Sequence, residues 1–292
     1  AFHHAPPSGF LAVCSANFEE PTIGPNSDTN STDNFSATLY TGNDTFARQI
    51  TTGLSSSDWI ITKYYNQNVG AVTYDSSRGA GTGNDIPLNS NGAEEANSGA
   101  AFGHVSDFNN DDNGVTLADG TSNGSFVNSD GGLHVMYAWK ANNGSQVTND
   151  VSSTSVGTID SNIQANTAAG FSIVTYTGNN TSGATVAHGL GVIPQVVIVK
   201  CRNVTGSWET YHEKNTAAPA TEHLRLDTTA ATADAATYWN DVAPTSTVFS
   251  LGNDVSTNAV RLYVAYCFAD VEGFSKFGVY TGNGNADGGY VY

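Results

Sequence analysis

The sequence has 292 residues, a formal net charge of −17 and only 13% charged residues. A surface of this sign repels phosphate backbones, which argues against nucleic acid as a partner. No apolar run approaches the ~20 residues of a membrane helix, so membrane insertion is not expected. Serine, threonine, asparagine and 31 glycines supply much of the remaining composition. Their preference for turns and strands over helices predicts an all-β protein.

Residues 1–30 are predicted to be extended. Four prolines interrupt any helix in this stretch, namely Pro6, Pro7, Pro21 and Pro25. The short apolar run from Phe10 to Cys14 is a strand candidate. We therefore assign residues 1–30 to an N-terminal linker and strand.

An internal repeat determines the predicted architecture. The sequence Tyr-Thr-Gly-Asn occurs three times, with its tyrosine and glycine at Tyr40 and Gly42, Tyr176 and Gly178, and Tyr280 and Gly282. Each copy follows an aromatic segment that begins at Phe35, Phe171 or Phe274. Each copy is therefore predicted as a strand that runs into a Gly-Asn turn.

Further strand candidates follow the first two copies of the motif, as β-branched or aromatic runs between turn residues. They are 59–63, 71–74, 126–127 and 135–139 in the first half, and 195–200, 208–211, 248–251 and 264–268 in the second. This spacing predicts two tandem antiparallel β-sandwich repeats, over residues 31–150 and 171–273. Residues 79–132 are predicted as long Gly/Asn-rich loops, residues 151–170 as a linker with one possible strand, and a helical turn is expected near 229–239.

The third motif lies in residues 274–292, which hold too few strands for a sandwich. One interpretation is the start of a third repeat that continues in a longer protein. The other is that these strands complete a sheet in the second repeat or in a neighbouring chain, because an unpaired strand is a template for strand addition. The second interpretation predicts self-association.

A calcium loop is one candidate site. Asn109, Asp111 and Asn113, followed by Gly114, place oxygen ligands at alternate positions before a glycine bend. The glutamate that closes such a loop is missing, because its position falls on Gly120. A plain polar loop is the favoured interpretation, calcium is the alternative, and no other cofactor is predicted.

His188 is the histidine with the most distinctive surroundings, since Gly189, Gly191 and Pro194 follow it closely. The glycines let the chain turn, and the proline precedes the next predicted strand. We predict that a neutral His188 bonds to backbone groups and holds this turn, in preference to a role as a ligand.

Catalytic motifs are not evident. No Gly-x-Ser-x-Gly elbow appears between a predicted strand and a predicted helix, and seven histidines make accidental serine–histidine sets expected. Three cysteines form neither a disulfide framework nor a zinc pattern. Cys201 and Cys267 lie in apolar runs, where two buried thiols are favoured over a disulfide. The sequence therefore predicts a protein that is not an enzyme.

Several segments of the second half carry a family resemblance: 171–179, 187–200, 211–212, 238–240, 243–249 and 263–277. Together they resemble a repeat common in tail-fibre and other virion structural proteins of marine bacteriophages. Residues 6–10 resemble the linker that follows a SPRY-like β-sandwich in those proteins. The resemblance is weaker over residues 1–150, and in the family the repeat continues past the Tyr-Thr-Gly-Asn-Gly segment.

The resemblance implies a structural or host-recognition role and brings no catalytic residues. We therefore expect a non-enzymatic virion component, a fibre or appendage on the extracellular virion surface. The expected partners are copies of the chain itself, other virion proteins and a host surface glycan. A glycan-binding module and a subunit of a cellular surface filament are the alternatives, and a polysaccharide-degrading enzyme is a third.

Overall fold

The computed structural model describes residues 31–94, 99–109, 114–122, 126–285 and 287–288. The predicted linker and strand in residues 1–30, and Cys14 with it, lie outside the described residues. Within these residues, three short α-helices accompany the strands, α1 (Gly99–Phe102), α2 (Val151–Thr154) and α3 (Ala236–Trp239). The strands pair antiparallel, which confirms the all-β prediction.

The first half contains eight of the described strands. They are β1 (Phe35–Thr41), β2 (Arg48–Thr51), β3 (Trp59–Tyr64), β4 (Val72–Asp75), β5 (Ile86–Pro87), β6 (His104–Asn109), β7 (Gly114–Ala118) and β8 (Leu133–Trp139). They form a five-stranded sheet in the order β1-β8-β3-β4-β5 and a three-stranded sheet in the order β2-β7-β6. Because side chains alternate along a strand, Ile60 and Met136 face inward and pack against Ile50, Val115 and Leu117 of the smaller sheet.

The second half follows the same plan. Its strands are β9 (Val147–Asn149), β10 (Ser161–Asn166), β11 (Phe171–Thr177), β12 (Ala184–Ala187), β13 (Val196–Cys201), β14 (Glu209–His212), β15 (Glu222–Arg225), β16 (Ala233–Asp234), β17 (Val248–Leu251) and β18 (Leu262–Phe268). The large sheet has the order β16-β15-β14-β13-β18-β11-β10-β9, and β12 pairs with β17. Val197 and Ala265 of the large sheet pack against Val186, Phe249 and Leu251 of the small one.

The two halves correspond strand by strand. The order β11-β18-β13-β14-β15 repeats β1-β8-β3-β4-β5, and the pair β12·β17 repeats β2·β7. The register also corresponds, because Tyr40 lies opposite His134 and Tyr176 lies opposite Tyr263 in the matching strand pairs. This correspondence supports the tandem-repeat interpretation.

Four predicted segments differ from the structure. Residues 151–170 are more than a linker, because they contain α2 and the one possible strand expected there is β10, which extends the large sheet beside β11. Residues 79–132 are more than loops, since they contain β5, β6 and β7. Residues 126–127 form a turn instead of a strand, and Phe274 and Ser275 lie in a turn closed by the Ser275 N–H to Val271 carbonyl bond, 2.9 Å long. Near 229–239, the predicted helical turn corresponds to α3.

A third core joins the halves. Trp59 and Ile86 of the first large sheet pack against Phe171, Trp208 and Tyr266 of the second. The indole of Trp59 stacks on the Tyr266 ring at 4.3 Å between centroids and donates its N–H to Thr73. Aromatic side chains of this size contribute most to such an interface, so the two halves form one packed body.

A buried polar network crosses the same junction. The Arg78 guanidinium contacts Asp75 at 2.5 Å and Glu94 at 2.8 Å, and Glu94 also pairs with Arg202 of the second half at 2.9 Å. The Tyr266 hydroxyl donates to Asp75 at 2.6 Å. The neighbouring carboxylates, chiefly Asp75, raise the pKa of Arg78 above its ordinary value although burial opposes them. Because every member has a charged or hydrogen-bonding partner, the network can remain buried.

Candidate functional site

The second copy of the repeated motif closes the end of its sheet through a buried asparagine. The Tyr176 hydroxyl donates to the Thr257 carbonyl at 2.7 Å. The Asn179 N–H donates to Oδ1 of Asn258 at 3.0 Å, and Nδ2 of Asn258 donates to the carbonyls of Thr181, at 2.9 Å, and Gly252, at 2.7 Å. We name this arrangement of the motif and Asn258 the asparagine clamp.

The first copy of the motif builds the same clamp with Asn128. The Tyr40 hydroxyl donates to the Val127 carbonyl at 2.6 Å, and the Asn43 N–H donates to Oδ1 of Asn128 at 3.2 Å. Nδ2 of Asn128 donates to the Thr45 carbonyl at 3.1 Å, as Asn258 does to Thr181. The clamp is therefore common to both halves.

The motif glycine permits a close backbone approach. A Cβ on Gly42 would lie 1.8 Å from the Ser129 carbonyl oxygen, and one on Gly178 would lie 2.2 Å from the Ala259 carbonyl oxygen. No side chain fits at either distance. Each glycine N–H makes a backbone bond in the clamp, to Gly132 at 2.7 Å and to Arg261 at 3.0 Å respectively.

The third copy of the motif has no clamp around it in the described part of the chain. Residues 278–285 are exposed, with Val279 62% and Tyr280 74% accessible. A Cβ on Gly282 would meet nothing within 4 Å. The Asn283 side chain still accepts the Asn285 N–H at 3.0 Å, as Asn43 and Asn179 do two residues on. The third motif therefore has the local turn of the other two without the contacts that bury them.

Asn128 and Asn258 were missed by the sequence analysis, although both side chains are fully buried. Each lies about 80 residues after the motif that it holds, with separations of 85 and 79 residues for the bonds to Asn43 and Asn179. A single asparagine in an asparagine-rich chain gives no local pattern. A comparison of the two halves does reveal a signal, because each asparagine directly follows the residue whose carbonyl accepts the motif tyrosine, Val127 or Thr257.

His188 lies in a buried turn, as its sequence suggests. Nδ1 accepts the Leu190 N–H at 3.2 Å, so Nε2 carries the proton and donates to the Thr245 carbonyl at 3.1 Å. Burial lowers the pKa of His188, which favours this neutral form. Gly189 and Gly191 both have φ near +75°, and Pro194 is buried just before β13. The four residues therefore hold the connection between β12 and β13.

The predicted calcium loop is only partly described. Asp111 and Asn113 lie outside the described residues. The Asn109 side chain exchanges two hydrogen bonds with the Thr116 hydroxyl, at 2.8 and 3.0 Å, across β6 and β7. Among the described residues, no group of three or more His, Cys, Asp or Glu side chains is placed to hold a metal ion.

The two described cysteines are separate buried thiols. Cys201 pairs with Tyr263 and Cys267 with Val197, four positions along the same strands. At ~3.3 Å per residue this spacing is beyond disulfide reach. Burial raises the pKa of the Cys267 thiol to about 12, so it is held in its protonated form.

A buried cluster of charged side chains is confined to the second half. Glu209 contacts Nδ1 of His223 at 2.6 Å and the Arg225 guanidinium at 3.2 Å, and Arg225 donates to the Tyr238 hydroxyl at 2.9 Å. Burial raises the pKa of Glu209, while His223 and Arg225 act against this shift. The corresponding residue in β4 of the first half is Val72. The contacts all link β14, β15 and α3, so the cluster stabilises that edge of the sheet.

An aromatic cavity of about 410 Å³ lies at the junction between the halves. Phe35, Trp139 and Phe171 line it, and the rings of Phe268 and Phe277 pack against one another at 5.6 Å on its other side. Val196 lines it too, at the position in β13 that corresponds to Trp59 in β3. The smaller side chain leaves space where the first half has an indole.

One family model matches residues 30–292 of the chain, and its description is a domain of unknown function, DUF7483. The chain belongs to the DUF7483 family. The DUF7483 match covers both halves, which share the third core, and extends over the third motif. No curated protein and no solved structure matches the chain. No helix in the described part of the DUF7483 domain has the length and apolar character needed to cross a membrane.

Proposed function

We propose that this protein is a non-enzymatic structural component of a phage virion, a fibre or surface appendage that contributes to host attachment. The observation that carries the proposal is the duplicated unit, in which the same clamp is built twice and the two copies pack through one aromatic core. A chain of such units suits an elongated appendage. The resemblance of residues 171–292 to virion repeats points in the same direction.

The buried polar side chains support a structural role over a catalytic one. Asp58 accepts the N–H groups of Ala141, Asn143 and Gly144 at 2.7–3.1 Å, and Oε1 of Gln164 accepts the Gly144 N–H at 2.9 Å. The Arg78 guanidinium bonds to both Asp75 and Glu94. These groups are engaged in holding loops and sheets, whereas a catalytic group must be free to meet a substrate.

A glycan-binding module receives less support. A groove of about 470 Å³ along β10 and β11 is lined by hydroxyl and amide groups, among them Thr148, Asn162 and Thr175. Sugar rings are usually held against an accessible aromatic face. Tyr176, the aromatic residue in this groove, is buried and directs its hydroxyl to Thr257.

Immunoelectron microscopy of purified particles tests the proposal. Antibodies raised against residues 171–292 should label an appendage of the particle, and antibody absorbed with the pure protein should not. Labelling confined to filaments on uninfected cells would replace the virion role with a cellular surface filament. As a second arm, the protein should release no reducing ends from host envelope polysaccharide beyond a heat-denatured control.

A further inference from the structure

The third motif is an exposed arm, and the surroundings of the first two motifs indicate what could bury it. Phe277 anchors its start, since its N–H donates to Asp270 at 2.8 Å and its ring packs on Phe268. From residue 278 onward the chain is exposed as far as residue 285. The first two motifs show what buries this sequence: a strand paired with the motif and an asparagine that closes the clamp. The arm is therefore suited to pair with a strand such as β8 whose own motif strand is absent, beside a clamp asparagine that has no motif bound to it.

The first half offers the more exchangeable position. Within the described residues β1 is an edge strand that pairs with β8 alone, whereas β11 is held between β18 and β10. Leu39 of β1 is 70% exposed. Removal of β1 would uncover β8 together with Asn128 and leave the rest of the sheet in place.

We propose that the third motif of one copy of this chain occupies the β1 position of a second copy, with residues 279–283 taking the places of 39–43. Tyr280 then donates to the Val127 carbonyl of the second copy, and the Asn283 N–H donates to Asn128. Gly282 meets the Ser129 carbonyl where Gly42 does now. Val279 replaces Leu39 on the outer face. Repetition of this contact joins copies head to tail, and the contact does not depend on whether the assembly is a virion.

Competition with β1 sets the expected extent of exchange. A tethered strand has an effective concentration of ~1 mM, so at ~10 µM protein the arm of a second copy occupies the position in roughly 1% of molecules. Removing the competitor raises this fraction by about 100-fold. Because each chain carries a net charge of −17, the experiment is done at roughly 0.5 M salt, where repulsion between copies is screened.

A disulfide trap detects the exchanged contact. Thr41 lies opposite Leu133, so Thr281→Cys and Leu133→Cys bring two thiols together only when the arm takes the β1 position. Cys14→Ser is added throughout, and the buried Cys201 and Cys267 stay unreactive. A brief oxidation pulse, short relative to strand exchange, should link about 1% of chains through 133 and 281 at ~10 µM, and about tenfold more at ~100 µM.

Two glycine variants are matched controls. Gly42→Val blocks β1 through the Ser129 carbonyl and should raise the linked fraction by about 100-fold. Gly282→Val has free space in the single chain and should abolish the link, alone or with Gly42→Val. Mass spectrometry identifies the linked peptides. A link no more frequent than in Gly282→Val would overturn the proposal even if Gly42→Val failed to fold, and a 133–281 link at monomer mass would show that the arm binds its own chain.

Discussion

Replacement of Asn258 by alanine tests whether the clamp stabilises the fold. Asn258 is fully buried and makes three side-chain hydrogen bonds, with Asn179, Thr181 and Gly252, at 2.7–3.0 Å. A buried hydrogen bond contributes about 1 kcal/mol, so their loss should lower the free energy of unfolding by about 3 kcal/mol. That is roughly a 100-fold change in the folding equilibrium.

Urea denaturation followed by circular dichroism and tryptophan fluorescence measures this difference. With a slope of about 3 kcal/mol per molar urea, the midpoint should fall by about 1 M. Asn253→Ala is the matched control, because Asn253 is exposed in the same loop between β17 and β18, and its midpoint should stay within ~0.2 M of the parent. If the two variants unfold at the same urea concentration, Asn258 does not stabilise the clamp and the reasoning is wrong.

Three further predictions follow from other contacts. Gly178→Ala should lower the free energy of unfolding by about 3 kcal/mol, because its Cβ would lie 2.2 Å from the Ala259 carbonyl oxygen, whereas Gly282→Ala should leave the urea midpoint unchanged. Arg78→Ala should lower the free energy of unfolding by about 3–5 kcal/mol, since it leaves the buried Asp75 without its cation. Lys214→Ala, at an exposed lysine, is the control, and equal thermal midpoints for the two variants would contradict this prediction. Burial lowers the pKa of His134 to about 4 from an ordinary value of 6.5. Between these pH values the unfolded chain therefore binds more protons than the folded chain. As the pH falls from 6.5 to 4, His134 should lower the free energy of unfolding by about 2–3 kcal/mol. His134→Phe should flatten this part of the stability profile, and an unchanged slope would exclude His134 as the titrating group.

Much of the strand pattern could be predicted because it is local. The β-branched and aromatic runs of β3, β8, β13 and β18 predict buried strands without any knowledge of the tertiary contacts. By contrast, β10 has the sequence Ser-Asn-Ile-Gln-Ala-Asn, whose polar residues resemble a linker. Gln164 is buried there only because loops from the first half surround it. Its place in the sheet follows from tertiary contacts, which no local pattern contains.

The candidate site divides in the same way. The tyrosine, glycine and asparagine of the motif are visible in the sequence because they recur. Their partners Asn128 and Asn258 are not, because the bonds span some 80 residues of chain. The apolar character of residues 126–127 predicts a strand, but these residues form a turn in which the Val127 carbonyl accepts the Tyr40 hydroxyl. In each clamp the motif residues could therefore be predicted from the sequence, whereas the asparagine that binds them could not.

The pairing of the first and last strands of each unit has a consequence for how the protein folds. The Tyr176 hydroxyl donates to the Thr257 carbonyl, 81 residues later in the chain. The Tyr40 hydroxyl donates to the Val127 carbonyl, 87 residues later. Contacts of such long sequence separation place these units among slowly folding topologies, because a large loop must close before the contact forms. During synthesis, the motif strand leaves the ribosome long before β8 or β18 exists. Each unit therefore completes its sheet only after its own last strand has been made.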